Sequence, residues 1–577
     1  MIDKNIIIQA LQEYAVLMEI KGENPFKIRA YENAGRILSG ISDDIEILIE
    51  QDRLISIKGI GKGIADFIKE YITTGQSSDL NKLKKEIPVG ILDMLRIPGM
   101  GPKKVKTILD KLHITTIGEL EYACLENRLL DLEGFGEKTQ VKIFQGIQLL
   151  KKYSDYHLLS RLLTEAEEIQ ITLSKVEGIK QIALVGSLRR RREIIRNINI
   201  IVIAEKDLTR VSKKISGVLP IESHTLEGNT LTVSLQSGTQ MILYLIPENQ
   251  FSYALLYYTG SYEFNSALQS IAQKHSYQFT ENGLFRNGKK EDCHTEQEIF
   301  EKLGLHYIPA ELRENRGEIL YAQQNPIPQL VEELDLKGVI HVHSNYSDGV
   351  HSIRELAIAC QKMGFSYLVI CDHSKSAAYA QGLNESRITE QWAEIDQLNK
   401  EFKDFRILKS IECDILSDGK LDYDHSILSR FDLVIASIHS RFNMSKAEAT
   451  NRLLRAIENP FTTIIGHPTG RLLLAREGYP VDVEALLNAA AEQQVAIELN
   501  ANPHRLDLDW RYLRQAKEKG VKISINPDAH RVEGISDIRY GVSMARKGWL
   551  TSGDVLNCMS WQELLRFAQR KRSLYSY

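Results

Sequence analysis

The sequence predicts a multidomain protein in which an α-helical region, an α+β domain and a β/α barrel follow one another. The chain has 577 residues, of which 43% are hydrophobic, and this is enough for several separate cores. Helical patterns dominate the first 150 residues, whereas apolar runs typical of strands alternate with helical segments after residue 335. We therefore expect four segments: 1–150, 151–320, a linker at 321–335, and 336–577.

The overall composition indicates neither a strongly charged partner nor a membrane. The net charge is −4, so no global positive field favours nucleic acid, although local phosphate sites are compatible with this value. The six cysteines form no CxxC pair, which disfavours a disulfide framework and a thiolate zinc site and fits a reducing cytosol. The chain shows no signal peptide and no apolar run of membrane-spanning length. We expect a cytoplasmic monomer without membrane contact.

The N-terminal region repeats one local pattern three times, at KGIGKG (58–63), IPGMGPKK (97–104) and LEGFGEKT (132–139). Glycine permits a turn with positive φ, and the helix that follows presents unpaired N–H groups and its positive dipole end to a phosphate. One copy is more often a plain turn, but three copies favour a helix-hairpin-helix region that binds the nucleic-acid backbone. The predicted DNA-binding residues are Gly59, Gly61, Gly99, Gly101, Lys103, Gly134 and Gly136.

The segment 151–320 mixes strands and helices, and one of its strands raises a question. A Gly-Ser pair and four consecutive arginines precede Asn197 and Asn199, which share one face because side chains alternate along a strand. Two carboxylates at these positions would make a metal site, but both residues are amides. The polar stretch AQQNPIPQ at 322–329, with its two prolines, then marks a linker.

The C-terminal segment carries nine candidate metal ligands near the ends of successive apolar runs. One such histidine is more often a packed or capping residue, but nine in this arrangement favour a metal centre. Imidazole and carboxylate together suit manganese, zinc or iron, and nine ligands exceed the needs of one ion, so we expect two or three divalent ions. The candidates are His341, His343, Asp348, His373, Glu412, His439, His467, Asp528 and His530.

A centre of this kind predicts hydrolysis of phosphate esters. Several divalent ions lower the pKa of water and hold both the attacking and the leaving oxygen of a phosphoryl group. Arg471, in HPTGR, has two interpretations of equal weight. Its guanidinium either contacts the phosphate in a bidentate manner or forms a structural salt bridge.

The motifs HVHSNYSDG, CDHS, GHPTGRLL and NPDAH, in this order, resemble the polymerase and histidinol phosphatase (PHP) domain. The whole chain, including YIPAELRENRGEI, resembles the bacterial family X DNA polymerases that carry a C-terminal PHP domain. The resemblance implies a nucleotidyltransferase palm and thumb, then a distorted β/α barrel with manganese-dependent 3'-5' exonuclease activity. In some members it also implies abasic-site endonuclease and 3'-phosphatase activity. All nine metal ligands match, and the catalytic residues it implies are His341, His343, Asp348, Glu412, Asp528 and Arg471.

The polymerase half departs from the family pattern. The family's two aspartates are Asn197 and Asn199 here, the third aligns with Ile242, and residues 230–250 contain no aspartate. Two magnesium ions beside a triphosphate would lack their counter-charge, so we predict that polymerase activity is lost while the scaffold is retained. Phe67 replaces the lysine of related lyases, and Gln269 replaces an arginine. Residual nucleotide contacts are expected at Gly186, Ser187, Arg190, Thr259, Gly260 and Asn265.

These residues lead to a DNA repair nuclease as the first hypothesis, acting on gapped DNA, single strands or 3' ends. An active gap-filling polymerase with a proofreading PHP nuclease is the alternative that overall similarity favours. A small-molecule phosphatase of the histidinol phosphate type would leave the three hairpin turns without a role. A non-catalytic DNA-binding scaffold is disfavoured by the nine ligands.

Overall fold

The chain divides into two compact units, Met1–Ser154 and Asp155–Tyr577. This computed structural model describes residues 4–40, 45–50, 53–130, 132–152, 155–204 and 208–574. The division lies close to the boundary predicted at residue 150. Among the described residues, no helix combines the length and the apolar character needed to cross a bilayer.

The first unit is helical throughout its described part. Its helices pack around aromatic side chains in which the rings of Tyr14 and Tyr31 lie 4.9 Å apart and those of Tyr14 and Phe67 5.3 Å apart. Phe67 is therefore a core residue. The helices are α1 (Lys4–Lys21), α2 (Pro25–Gly40), α3 (Ile45–Glu50), α4 (Lys62–Thr74), α5 (Ser78–Glu86), α6 (Val89–Met94), α7 (Pro102–Leu112), α8 (Ile117–Leu125) and α9 (Glu137–Lys152).

The second unit begins with the predicted α+β segment. Its five-stranded sheet has the order β2-β4-β7-β6-β5, in which β4 and β7 run parallel and the other neighbours are antiparallel. Ile198 and Ile200 of β4 are fully buried, so they anchor the strand that carries the two asparagines. The elements are β1 (His157–Leu158), α10 (Leu159–Leu173), β2 (Ile179–Val185), α11 (Gly186–Arg189), β3 (Ile194–Ile195), β4 (Asn197–Ala204), α12 (Leu208–Val218), β5 (Ile221–Glu227), β6 (Thr230–Leu235) and β7 (Gln240–Ile246).

A thumb of helices and a small antiparallel sheet follows the palm. Arg313 is fully buried there and places its guanidinium 2.5 Å from Glu296. The predicted linker packs against the barrel domain, since Val331 is buried and its N–H donates to the carbonyl of Leu550. The elements are α13 (Phe251–Thr259), α14 (Tyr262–Lys274), β8 (Gln278–Thr280), β9 (Gly283–Arg286), β10 (Lys289–Lys290), α15 (Glu296–Lys302) and α16 (Glu318–Ala322).

The C-terminal part alternates strands and helices as predicted. Its first strands are β11 (Gly338–Val342), β12 (Tyr367–Ile370), β13 (Arg406–Lys409) and β14 (Glu412–Asp414). Further strands are β15 (Ile435–Ser437), β16 (Ile464–Ile465), β17 (Ala496–Asn500) and β18 (Ile523–Asn526). The helices are α17 (Ile353–Lys362), α18 (Glu385–Glu401), α19 (His425–Leu428), α20 (Lys446–Glu458), α21 (Val483–Glu492), α22 (Leu513–Glu518), α23 (Ile538–Lys547) and α24 (Trp561–Leu574).

All pairs between these strands are parallel, in the orders β11-β12-β13 and β14-β15-β16-β17-β18. Single bridges from Val342 to Ala529 and from His373 to Glu412 join the two sheets. Because all strands run in one direction, their carboxyl ends lie on one side of the domain. That side is where the candidate ligands cluster.

Candidate metal centre and phosphate-binding turns

The nine predicted ligands lie at the carboxyl ends of the parallel strands. His341 is part of β11 and His343 follows it, while His373 follows β12 and His439 follows β15. Asp348, His467, Asp528 and His530 lie in the segments after β11, β16 and β18. Glu412 is the first residue of β14, just after the end of β13 at Lys409. Strands that are distant in the sequence thus bring the side chains to one place.

Glu412 is the centre of this cluster. Its Oε1 lies 3.0 Å from Nε2 of both His439 and His467, and its Oε2 lies 2.9 Å from Nδ1 of His373. His341 Nε2 is 3.3 Å from the same carboxylate. One buried carboxylate therefore contacts four imidazoles.

The donor atoms form three overlapping groups, each with its atoms within 4.8 Å of one another. His343 belongs to two of the groups, and so does His373, so the groups are neighbours rather than separate sites. The groups are His343, Asp348, His373 and His530; His341, His343 and Asp528; and His373, Glu412 and His439. Each of them could hold a divalent ion.

Buried ring nitrogens without a regular hydrogen bond support this interpretation. Nε2 of His341, Nε2 of His343 and Nδ1 of His373 are buried and form no hydrogen bond of regular geometry within the part of the chain that the structure describes, although each has a carboxylate oxygen within 3.3 Å. Buried polar atoms of folded proteins nearly always have a partner. A divalent cation would provide one, and imidazole with carboxylate is a ligand set that manganese, zinc and iron accept.

The electrostatics of the cluster are strongly coupled. Burial lowers the pKa of His343 to about 3, and the neighbouring His530 and His373 add to this. Burial opposes protonation of His373 as well, but Glu412 and Asp348 raise its pKa to about 10. Burial alone would raise the pKa of Glu412, yet the surrounding imidazoles, His439 first, hold it well below its usual value. The carboxylates thus attract positive charge, which either protons or metal ions can supply.

Two carboxylates that the sequence analysis did not identify orient the imidazoles. Glu498 is fully buried, and its Oε1 lies 2.6 Å from His341 Nδ1. Asp414 Oδ1 lies 2.8 Å from His439 Nδ1. A carboxylate on the second ring nitrogen fixes the orientation of a ligand and increases its basicity. For Glu498 a signal was present, since it is a charged residue inside the apolar run VAIELN.

The predicted phosphate contact Arg471 is engaged elsewhere. Its Nη1 lies 2.5 Å from Asp509 Oδ2, and its Nε donates to the carbonyl of Arg505 at 2.9 Å. This geometry favours the structural alternative of the two interpretations. Arg505 is the arginine beside the ligands, with Nε 3.6 Å from Asp528 Oδ2.

The three hairpin turns have the predicted backbone. Gly59, Gly99 and Gly134 have φ values of 100°, 83° and 83°, which disfavour any other residue. The residue between the two glycines of each turn is buried and holds the turn on the core; these residues are Ile60, Met100 and Phe135.

The second glycine of each turn has a different character. Gly61, Gly101 and Gly136 are exposed, and a Cβ added there would meet no atom within 4 Å. Packing does not require glycine here, so the bare backbone leaves the starts of α4, α7 and α9 open to a ligand. Lys103 is exposed beside the second turn, whereas Lys104 donates to the carbonyl of Gly99.

In the palm, the three positions aligned with the family's carboxylates are neighbours on two adjacent strands. Asn199 of β4 is in register with Ile242 of the parallel β7, so their side chains share a face. Nδ2 of Asn199 donates to Oδ1 of Asn197 at 3.0 Å, and the hydroxyl of Tyr244 lies 3.5 Å from Asn199 Oδ1. In the described ranges, groups of three potential metal ligands occur only in the barrel domain.

The predicted nucleotide contacts lie together beside these strands. Gly186 has a φ of 65° and leads into the short helix with Ser187. Arg190 donates from Nη1 to the carbonyl of Thr259 at 2.7 Å and pairs with Glu314 at 3.1 Å. A Cβ on Gly260 would lie 2.3 Å from Asn265 Oδ1, which explains the glycine. Arg190 is thus engaged with protein partners.

Four family models match successive parts of the chain. A helix-hairpin-helix domain matches residues 3–77, and a SAM-like helix-hairpin-helix tandem matches residues 91–148. The DNA polymerase beta thumb matches residues 254–314, and the PHP domain matches residues 340–502. These matches confirm the predicted fold class.

Similarity to curated proteins extends over nearly the whole chain. The chain is 39% identical over 572 residues to the DNA polymerase/3'-5' exonuclease PolX of Bacillus subtilis (strain 168), covering 98% of this chain and 99% of that protein. It is 30% identical over 230 residues to a probable phosphatase of Thermoanaerobacter sp. (strain X514), covering 38% and 88%. A probable phosphatase of Vibrio parahaemolyticus is 28% identical over 248 residues, covering 41% and 94%.

Proposed function

For a chain that belongs to the family X DNA polymerases with a C-terminal PHP domain, we propose the function of a DNA repair nuclease. The PHP domain is a 3'-5' exonuclease, and the hairpin turns hold gapped DNA, single strands or 3' ends. One observation carries the proposal: eight of the nine predicted ligands form the three donor groups, His467 lies 3.0 Å from Glu412, and the same chain has three glycine turns with positive φ. A cytoplasmic monomer is part of this proposal.

Two or three divalent ions, manganese first and zinc or iron as alternatives, are the proposed cofactors. When bound, they polarise the phosphodiester and lower the pKa of water. Glu412 and Asp528 provide negative charge, and the imidazoles provide neutral donors. Glu498 and Asp414 hold the rings of His341 and His439. Arg505 is the cation that orients the phosphate, because its guanidinium lies beside Asp528.

The proposal includes the loss of polymerase activity. Asn197 and Asn199 carry no charge and hydrogen-bond to each other, and Ile242 has no ligand atom. Phosphoryl transfer depends on metal ions that neutralise the developing charge. The palm then serves as a platform that holds DNA or nucleotide through Gly186, Ser187 and Arg190.

A second candidate is 3'-phosphatase or abasic-site endonuclease activity at the same centre. Similarity of part of the chain to proteins named probable phosphatases favours it. A third candidate, gap-filling synthesis, is favoured by the name of the Bacillus subtilis relative. The second candidate is measured on DNA with a 3'-phosphate or an abasic site, and the third on gapped DNA with added nucleotides.

The experiment is degradation of 5'-labelled gapped and single-stranded oligonucleotides with manganese, zinc, iron or magnesium. The wild-type protein should shorten the strand from its 3' end with manganese. His341→Ala and Asp528→Asn should abolish shortening because each removes a ligand. His425→Ala, an exposed histidine outside the three ligand groups, is the matched control and should retain full activity. Degradation at the wild-type rate by both ligand variants would refute the assignment.

A further inference from the structure

A cavity of about 300 Å³ lies between the thumb and the barrel domain. Its thumb side is the segment 311–316, which belongs to the motif YIPAELRENRGEI. Its barrel side is formed by residues 510–514 and 547–549. The proposed metal centre uses none of these residues, so the cavity is a separate feature.

The lining of the cavity is positively charged. Its four cationic and two acidic side chains are Arg316, Arg511, Arg514, Lys547, Glu311 and Glu314. Both carboxylates are also paired with cations outside the lining, since Arg546 lies 2.7 Å from Glu311 and Arg190 lies 3.1 Å from Glu314. Arg511, Arg514 and Lys547 each pair with a carboxylate as well, so within the described part of the chain Arg316 is the lining cation without one.

Arg316 is the most available of these cations. Among the described residues no carboxylate pairs with its guanidinium, which lies over the ring of Trp510 at 5.4 Å. Its neighbour Arg514 pairs with Glu518, which is largely exposed, at 3.1 Å. Lys547 differs, because its Nζ already donates to Glu314 and to the carbonyl of Arg190.

We propose that this cavity binds a small phosphoryl anion, either inorganic pyrophosphate or the phosphate of a nucleotide. Guanidinium groups donate two parallel hydrogen bonds to such oxyanions. The volume is at the lower limit of the roughly 300–1,000 Å³ of small-molecule pockets, which suits a compact polyanion. Cations already lie over the indole rings, Arg511 at 4.7 Å and Lys547 at 4.5 Å from Trp510, so the rings are engaged without a stacked base.

The ligand would join the two sides of the cavity. Arg316 belongs to the thumb, whereas Arg511 and Arg514 belong to the barrel. Arg511 also pairs with Glu193 of the palm at 2.8 Å. A phosphoryl group between these arginines would stabilise the packing of thumb, palm and barrel. This role does not depend on the proposed nuclease activity.

The test is isothermal titration calorimetry of the full-length, manganese-loaded protein with inorganic phosphate, pyrophosphate, dAMP and deoxyadenosine. Trp510 and Trp549 line the cavity, so tryptophan fluorescence provides a second signal. We expect pyrophosphate or dAMP to bind, with affinity reduced at least tenfold by Arg316→Gln together with Arg514→Gln. Arg316→Lys should retain more affinity than Arg316→Gln.

The matched control is Arg430→Gln, which removes an exposed arginine that lies 4.4 Å from Trp392 and outside the cavity. Equal phosphate binding by all variants would place the anion on the metal centre alone and overturn the proposal. If deoxyadenosine binds as tightly as dAMP, the cavity does not recognise the phosphate, and the proposed ligand class is wrong. Arg316 is exposed, so Arg316→Gln alone remains informative if the double variant fails to fold. Because binding is measured directly, an inactive nuclease would leave this result interpretable.

Discussion

The barrel and the palm both carry polar side chains on parallel strands, but these side chains differ in whether their polar atoms form hydrogen bonds within the protein. In the barrel, Nε2 of His341 and Nε2 of His343 are buried and form no regular hydrogen bond among the described residues, although carboxylate oxygens lie 3.3 and 3.2 Å away. In the palm, Asn197 and Asn199 bond to each other. Buried ring nitrogens without a regular hydrogen bond are suited to bind a cation. The two asparagines of the palm already bond to each other and need no cation. The two regions therefore differ in a few side chains and not in the presence of a folded sheet.

The supporting residues differ in the same way. In the barrel, Glu498 and Asp414 lie behind two imidazoles and fix their orientation. In the palm, Ile242 lies in register with Asn199, where a ligand would have to approach. Beneath these positions, Ile198, Ile200 and Leu243 are fully buried and pack the two strands on an apolar core.

The largest effect is expected at the centre of the barrel cluster. Glu412→Gln removes the charge that contacts four imidazoles. Exonuclease activity with manganese should fall by more than the roughly 10- to 100-fold typical of outer-shell changes. Metal content, measured by mass spectrometry after gel filtration, should fall in parallel. Unchanged metal content and activity in Glu412→Gln would show that this cluster does not hold the metal, and the contrast with the palm would no longer stand.

A smaller effect is expected behind the ligands. Glu498→Gln keeps the shape of the side chain but removes the negative charge beside His341 Nδ1. Manganese affinity should fall about 10- to 100-fold, as measured by titration calorimetry. Glu318→Gln is the matched control, because Glu318 is also fully buried but accepts from the backbone N–H groups of Asn315 and Arg316. If both variants bind manganese like the wild type, Glu498 has no orienting role.

The metal centre could be predicted from the sequence because its ligands lie in short motifs at the ends of apolar runs. The interacting partners could not be predicted in the same way. Nothing in HPTGR shows that Arg471 reaches Asp509, since that contact depends on how distant loops pack. Arg505 and Asp414 also acquire their positions beside the ligands only in the folded chain. The uncharged residues at 197, 199 and 242 are visible in the sequence itself, and the loss of polymerase activity that they favour stays a prediction.

The hairpin turns of the N-terminal unit allow DNA binding to be tested separately from the chemistry of the barrel and the palm. Gly101→Ala and Gly136→Ala add a methyl group where no packing opposes it, but where the phosphate would approach the helix start. We expect DNA affinity to fall several-fold at fixed salt with unchanged thermal stability, measured by fluorescence anisotropy and calorimetry. Gly118→Ala is the control, since Gly118 is exposed, has no positive φ and has open surroundings, as Gly101 and Gly136 do, but lies outside the turns. Wild-type affinity in both hairpin variants would make the turns purely structural.

The smallest effect is expected in the palm, where chemistry must be restored rather than removed. With the nuclease disabled by His341→Ala, the unrestored palm should add no nucleotide to a one-nucleotide gap with magnesium or manganese. Disabling the nuclease is necessary, since degradation would otherwise hide synthesis. Asn197→Asp, Asn199→Asp and Ile242→Asp together should recover a trace of primer extension, because a two-metal site needs its ligands jointly.

Each of the three substitutions made alone should give no primer extension, and these single variants are the controls for the triple variant. A carboxylate at 199 alone would still face the isoleucine of β7 and the neutral amide at 197. Nucleotide binding without extension would fit the retained Gly186, Ser187 and Arg190, so the readout has to be a longer primer. Clear extension by the unrestored palm would show that a carboxylate outside β4 and β7 supplies the missing charge. In that event the palm and the barrel would both be active, and their difference would lie in where the ligands come from.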